Sequence, residues 1–454
     1  MSDGRIFAGC LLSLVLAAAA GAVCAASADE PLQVAPIAYT ERRLANGLQV
    51  IAAENHASPT VAVQVWYHVG AKDDPQGRSG FAHLFEHLMF KSTRNLRDEQ
   101  FDRLTEDVGG ANNAFTSDDV TAYHEVVPSN HLETLLWAEA ERMSNLNVDD
   151  AAFKSERAVV EEEYRQRVLA APYGRFFNAI ATSSYLVHPY KRSAIGSIED
   201  LEAATLADVV SFHNTYYRPD DATLVVTGDF DAAQLQAWVD QYFGPLPRPT
   251  TALPRVTADE PAWPSDRTIA IHGPKVPLPA VALSWLGPQV DSKDAAALRV
   301  AAALLSAGDS SRLHESLVYR QRVASDVGFE ADLRVGPGLL TAFAIAAGNK
   351  PLAVVKAALL AEVERLVRQP ATMAELAKVK TQLLTQEIVG RQTPLGLGHA
   401  LAEASVVGGD TSRANRKLAE LQSVTAGDVQ RVMRDYVGKK HVVTVEYTQE
   451  GGSK

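Results

Sequence analysis

Two stretches of this chain lie 220 residues apart and carry the same pattern. Leu201, Thr205, Asp208, Val209, Tyr216 and Val225 fall without a gap on Leu421, Thr425, Asp428, Val429, Tyr436 and Val445. Each copy reads as a threonine-capped amphipathic helix that runs into a β-rich segment, residues 222–227 in the first and 441–447 in the second. A repeat this long is a duplicated domain, since solenoid units run to roughly 20–50 residues. Between the copies stand six prolines, Pro245, Pro247, Pro249, Pro254, Pro261 and Pro264. Such a stretch excludes regular helix and central strand, so residues 245–265 are expected to link two halves, 35–244 and 266–450. Each half opens on strand-like sequence, 61–69 and 280–286, and helical periodicity follows, as at 295–305 and 351–368. The expected class is α+β, with two homologous domains of mostly antiparallel sheet and helices packed on it.

A length of 454 residues agrees with more than one core, and 46% apolar with 22% charged residues is ordinary for a globular protein. The net charge of -12 argues against nucleic acid as a partner. At the N-terminus, Arg5 precedes an apolar run over residues 6–26, and Ala26-Ser27-Ala28 supplies small residues before Asp29. Residues 1–28 are therefore expected to be a signal peptide cleaved after Ala28, with export to the periplasm. The alternatives are an uncleaved membrane anchor, or lipid attachment at Cys24, to which the preceding Val23 is poorly suited. Both cysteines, Cys10 and Cys24, fall in this segment, so the mature chain is expected to hold no disulfide and no cysteine metal ligand.

The most informative run is Gly80-Phe81-Ala82-His83-Leu84-Phe85-Glu86-His87-Leu88-Met89-Phe90. Wound as a helix at about 100° per residue, it places Phe81, Leu84, Phe85 and Leu88 on one stripe and His83, Glu86 and His87 opposite. Histidines four apart stand one turn above each other, which suits two imidazoles on one metal, and Glu86 lies beside them to take a proton from water. His-x-x-Glu-His is the inverted zincin motif. The plainer reading, two surface histidines and a helix-stabilising glutamate, leaves this joint spacing unexplained. The remaining ten histidines, His124 and His213 among them, show no such spacing and are expected to be structural or solvent-facing.

A catalytic zinc needs a third protein ligand. Within Lys154–Tyr164 the carboxylates of Glu161, Glu162 and Glu163 compete. The helical projection sets Val159 and Val160 on either side of a buried stripe, with Glu156 and Glu163 between them, while Glu161 points away and Glu162 lies off it. A carboxylate on an apolar stripe is costly unless it meets a metal or a partner. Glu163 is thus the expected third ligand, and Glu156 the carboxylate that orients a histidine ligand. The plainer reading, a solvated charge run, suits Glu161 and Glu162.

With these residues the chain resembles the M16 peptidases, the family of pitrilysin, insulin-degrading enzyme and the mitochondrial processing peptidase, over nearly its whole length. His83, Glu86 and His87 match the family motif, and Glu156 and Glu163 match its paired glutamates, the second of which binds zinc. The resemblance implies one zinc ion per chain and hydrolysis of peptides or small unfolded polypeptides. It also implies that Gly109–Thr116 lines the site, with Asn113, Ala114 and Phe115 holding substrate along an edge strand. Shorter M16 forms carry two homologous domains per chain and assemble in pairs. Ser310–Leu317 resembles a segment after which self-sufficient members place an arginine and a tyrosine, yet the matching positions here are Val318 and Ser325. The resemblance therefore implies a partner, a second M16 subunit that supplies this pair, or else a homodimer. A non-catalytic assembly subunit and a periplasmic metal- or peptide-binding protein are the rival expectations.

Overall fold

The computed structural model describes residues 32–451, so the expected export signal lies outside the described residues. The alternating apolar runs form two sheets. The first contains β1 (Thr40–Arg43), β2 (Gln49–Glu54), β3 (Thr60–Tyr67), β4 (Ala111–Thr116), β5 (Thr121–Pro128) and β6 (Ala222–Gly228), in the order β1-β2-β6-β3-β5-β4. The second contains β7 (Arg267–Gly273), β8 (Ala280–Gly287), β9 (Ala324–Asp332), β10 (Gly338–Ala346) and β11 (Val443–Gln449), in the order β7-β11-β8-β10-β9. Only β2–β6 and β7–β11 pair in parallel.

The duplication extends to register. Thr223 lies between Gln49 and Trp66 in the first sheet, as Val443 lies between Arg267 and Ser284 in the second, and the flanking residues are equally far apart in sequence. Thr205 and Thr425 each begin a helix, and each closes a capping box with the aspartate three residues on, Asp208 and Asp428. The second β segment starts two residues later than expected, because Asp266 takes the Val442 N–H before pairing begins.

One face of each sheet packs on helices of its own half. Phe81–Leu88 and Leu132–Asn145 cover the first, and Ala295–Ser306, Leu352–Arg368 and Ala426–Tyr436 cover the second. The opposite faces are covered reciprocally. Helix Pro394–Ala402 of the second half sets Leu401 and Ala402 among Ile51, Trp66 and Val225 of the first sheet. Helix Gly174–Ser184 of the first half sets Phe176, Ala179 and Ile180 among Ala280, Ala282 and Val445 of the second. Gly398 permits the close approach, since a Cβ there would collide with the Gln64 side chain. Burial on both faces explains why β6 is buried along its whole length. The halves therefore interlock, and from Ile37 onward the chain forms one compact unit.

The proline-rich segment has no helix or strand, as its composition requires. It is nevertheless pinned to the protein. Arg218 donates to the Pro249 and Thr251 carbonyls, Glu260 accepts the N–H groups of Leu186, Val187 and His188, and Trp263 is buried. No helix among the described residues is long and apolar enough to cross a membrane.

Candidate metal centre

The helix carrying the histidines spans Phe81–Leu88. Gly80 precedes it with φ 87°, where a Cβ would come within 2.7 Å of the Ile195 carbonyl oxygen. The cap position therefore offers no side chain, and Asp74 from the preceding loop replaces it, accepting the Gly80 and Ala82 N–H groups at 2.8 Å each. Phe81, Leu84, Phe85 and Leu88 are buried in the core of the first half, which leaves His83, Glu86 and His87 on the other side of the helix.

Glu163 arrives on helix Asp150–Tyr164, whose N-terminus Asp149 caps by accepting from Ala152 N–H. Its Oε2 lies 3.4 Å from His83 Nε2 and 3.7 Å from His87 Nε2. One donor atom from each of the three residues falls within 4.8 Å of the others. Glu163 Oε2 is buried and accepts no hydrogen bond, and His83 Nδ1 is likewise buried without a partner. An unbonded carboxylate oxygen aimed at two imidazole nitrogens is costly unless a cation joins them, so two nitrogens and one oxygen fit a zinc ion. Burial, with His87 and Arg167 adding to it, holds the His83 pKa down to about 3, which keeps its imidazole neutral. Arg167 holds the second oxygen of Glu163 at 2.7 Å.

Glu156 faces the outer nitrogen of His87, with Oε2 3.6 Å from Nδ1, and pairs through Oε1 with Lys91 at 2.9 Å. The first distance exceeds a direct hydrogen bond, but the carboxylate stands on the ring nitrogen opposite Glu163. Its pKa is lowered by His87 and Lys91 despite desolvation. Glu86 is half-buried and accepts the Thr116 hydroxyl at 2.6 Å, and burial raises its pKa. Glu161 pairs with Arg157 and Arg165, and exposed Glu162 pairs with Arg165.

Two details differ from the helical projection. Val159 is 47% exposed, and the buried line is Phe153, Glu156 and Val160. Glu161 is no more exposed than Glu163, with side chains at 13% and 19%, because the two arginines fold over it. What separates the two glutamates is the direction of approach to the histidines.

β4 is one of the two edge strands of its sheet. Ala114 packs toward the helix side, whereas Phe115 turns to the opposite face, 5.3 Å from the Trp66 ring. Asn113 is exposed, and its Oδ1 accepts the Ala114 N–H. The side chains of Asn113 and Phe115 thus stand on the face away from Glu86. Val318 packs against the core of the second half, and the Ser325 hydroxyl bonds to the Ile345 and Ala346 carbonyls. Helix Ala295–Ser306 follows β8 much as Phe81–Leu88 follows β3, but it carries no histidine or acid. Asp74 carries no sequence signal for its role and reaches the site through a loop contact, while Thr116 ends the segment that the family resemblance sets beside the site, with no signal for its contact to Glu86. Arg167, four residues beyond Glu163, was open to the i,i+4 pairing rule.

Comparison with known proteins places these features in a family. The family model described as "Insulinase (Peptidase family M16)" matches residues 49–196, and that described as "Peptidase M16 inactive domain" matches residues 203–383. The zinc protease PqqE of Helicobacter pylori is 35% identical over 341 residues, covering 74% of this chain and 76% of that protein. A probable mitochondrial-processing peptidase subunit beta of Arabidopsis thaliana is 22% identical over 408 residues, covering 88% and 76%. The crystal structure of a protease from Helicobacter pylori superposes with a TM-score of 0.87 at 30% identity, over 91% of this chain and all of that one (100%).

Proposed function

Because this chain belongs to the M16 peptidase family, we propose that it is a zinc-dependent endopeptidase whose metal is held by His83, His87 and Glu163. The observation that carries this reading is the buried, unbonded Glu163 Oε2 facing the Nε2 atoms of both histidines. Zinc in that position supplies Lewis acidity toward water and toward a peptide carbonyl. The chain's own residues do the rest. Glu86 accepts the proton of the attacking water and returns it to the leaving amine, a role suited to a carboxyl whose pKa burial raises. Thr116 fixes one Glu86 oxygen, Glu156 sets a negative charge beside the outer ring nitrogen of His87, and Arg167 holds the Glu163 oxygen not needed for the metal. The free edge of β4 turns the backbone N–H and C=O groups of alternate residues, Ala114 at their centre, toward an extended peptide or a small unfolded chain, while the flanking Asn113 and Phe115 pair with β5.

Export to the periplasm completes the reading, on the strength of residues 1–28. A distinct partner M16 subunit supplies the arginine and tyrosine that Val318 and Ser325 do not provide, a pair that a second copy of this chain would lack as well. Glu86→Gln is expected to keep stoichiometric zinc and to lose about 10²–10⁴-fold in turnover. Wild-type hydrolysis by the metal-loaded variant would sink the mechanism. Val318 and Ser325 also favour a second reading, a non-catalytic assembly or peptide-binding subunit. That reading requires zinc to bind with no turnover even beside the co-purified partner, whereas the first requires kcat/KM to rise on adding it.

A further inference from the structure

A peptide strand laid along β4 turns alternate side chains to opposite faces of the sheet. Side chains level with Ala114 and Thr116 turn toward Glu86, and those level with Asn113 and Phe115 turn away from it. On this far face the sheet is incompletely covered. A cavity of about 480 Å³ lies between β4–β5 and the helices Met373–Gly390 and Pro394–Ala402, a size typical of ligand sites. Phe115 and His124 line it from the sheet, and Leu395, His399 and Ala400 line it from the second half. The Phe115 and His399 rings lie 5.9 Å apart, and Trp66 packs edge-on against both, at 5.3 and 5.1 Å.

The chemistry of the walls selects an occupant. Desolvation lowers the pKa of half-buried His124 and also of His399, whose side chain still reaches solvent, and so favours the neutral form of both imidazoles. At the far end Lys417 pairs with Glu387 at 2.7 Å and lies 3.7 Å from Glu403, and Arg391 lies 3.6 Å from Glu387. Two cations and two carboxylates thus answer one another and leave no net charge to attract an ionised side chain.

We propose that this cavity is a specificity pocket taking a large uncharged side chain, aromatic by preference, from the positions of a bound peptide that face away from Glu86. The inference rests on the peptidase reading, since it requires a peptide on β4. It also gives the interlocked helices a use, because each half contributes a wall that the other lacks.

The test uses the full chain as zinc-loaded Glu86→Gln and a fluorescent ten-residue peptide in which each position in turn is Ala, Phe, Lys or Glu. Binding is read by anisotropy, and cleavage of the same peptides by the wild-type chain with its partner is measured in parallel. Phe is expected to bind about tenfold or more tighter than Ala at alternate positions, with Lys and Glu no better than Ala. Ala400→Trp fills the cavity and is expected to bring the Phe preference within twofold. Leu395→Trp repeats the test from another wall, and the thermal transition and zinc content show that each variant is folded. A preference that survives both fillings, lacks the two-residue period or favours charge overturns the pocket, as does failure of every peptide to bind. Periodic preference without any wild-type cleavage overturns the peptidase reading and leaves the pocket standing. Cleavage without periodic preference does the reverse.

Discussion

Asp74 donates nothing to a metal, yet it sets where the donors stand. Its carboxylate takes two N–H groups at the start of the helix that carries His83 and His87. Asp74→Ala leaves both unpaired and is expected to cost about 1–2 kcal/mol and to weaken zinc binding, measurable by denaturant titration and metal competition. Burial pushes its pKa from 3.8 up to about 7. Between those values the folded chain holds a proton that the unfolded chain has released. Stability from this group is therefore greatest at the acid end of the window and declines as pH climbs to about 7. Asp74→Asn is expected to flatten that part of the stability profile, and an unchanged slope would assign the titration to another group. Residues of this kind mark the limit of legibility. His83, Glu86 and His87 were readable because their spacing is local and helical. Glu163 was readable because it breaks an apolar stripe, although with Val159 exposed that stripe is narrower than helical periodicity alone makes it. Thr116 meets Glu86 from 30 residues away, on a strand whose place beside the helix no periodicity encodes.

At the scale of elements, the duplication was legible because each copy carries a threonine cap, an aspartate three residues on and a strand at the same offset. The exchange of helices was not. Apolar spacing says that Pro394–Ala402 and Gly174–Ser184 each bury a face, and it is silent on whose sheet receives it. That exchange makes a prediction about cooperativity. Leu401 belongs to the second half but is fully buried against the first sheet, and Phe176 does the converse. Leu401→Ala is expected to cost about 2–5 kcal/mol and Phe176→Ala about 3–5 kcal/mol. In both cases the whole chain should unfold in one shifted transition when followed by circular dichroism and by tryptophan fluorescence. Two separated transitions, with only one displaced, would mean that the halves are energetically independent.

The whole molecule is then a pair of sheets that cannot be finished separately. Without the second half, the first sheet would expose Ile51, Trp66 and Val225, and without the first half, the second sheet would expose Ala280, Ala282 and Val445. Contiguous apolar surface of that kind drives association. The exposed chain between Thr257 and Ala258 can be cut without breaking a strand or helix. Expressed alone, each fragment is expected to aggregate or to stay partly unfolded, the first included, although it holds His83, His87 and Glu163. Expressed together, the fragments should form a soluble one-to-one complex, because the proline-rich segment is pinned by its own hydrogen bonds and the interlocked helices do not need the peptide bond to find their sheets. Zinc bound per complex and the oligomeric state by light scattering are the readouts. A soluble, monomeric first fragment that binds zinc with the affinity of the intact chain would show that the second half is dispensable for folding the metal centre. Its remaining use would then be the far wall of the cavity behind β4 and whatever surface it offers to a partner.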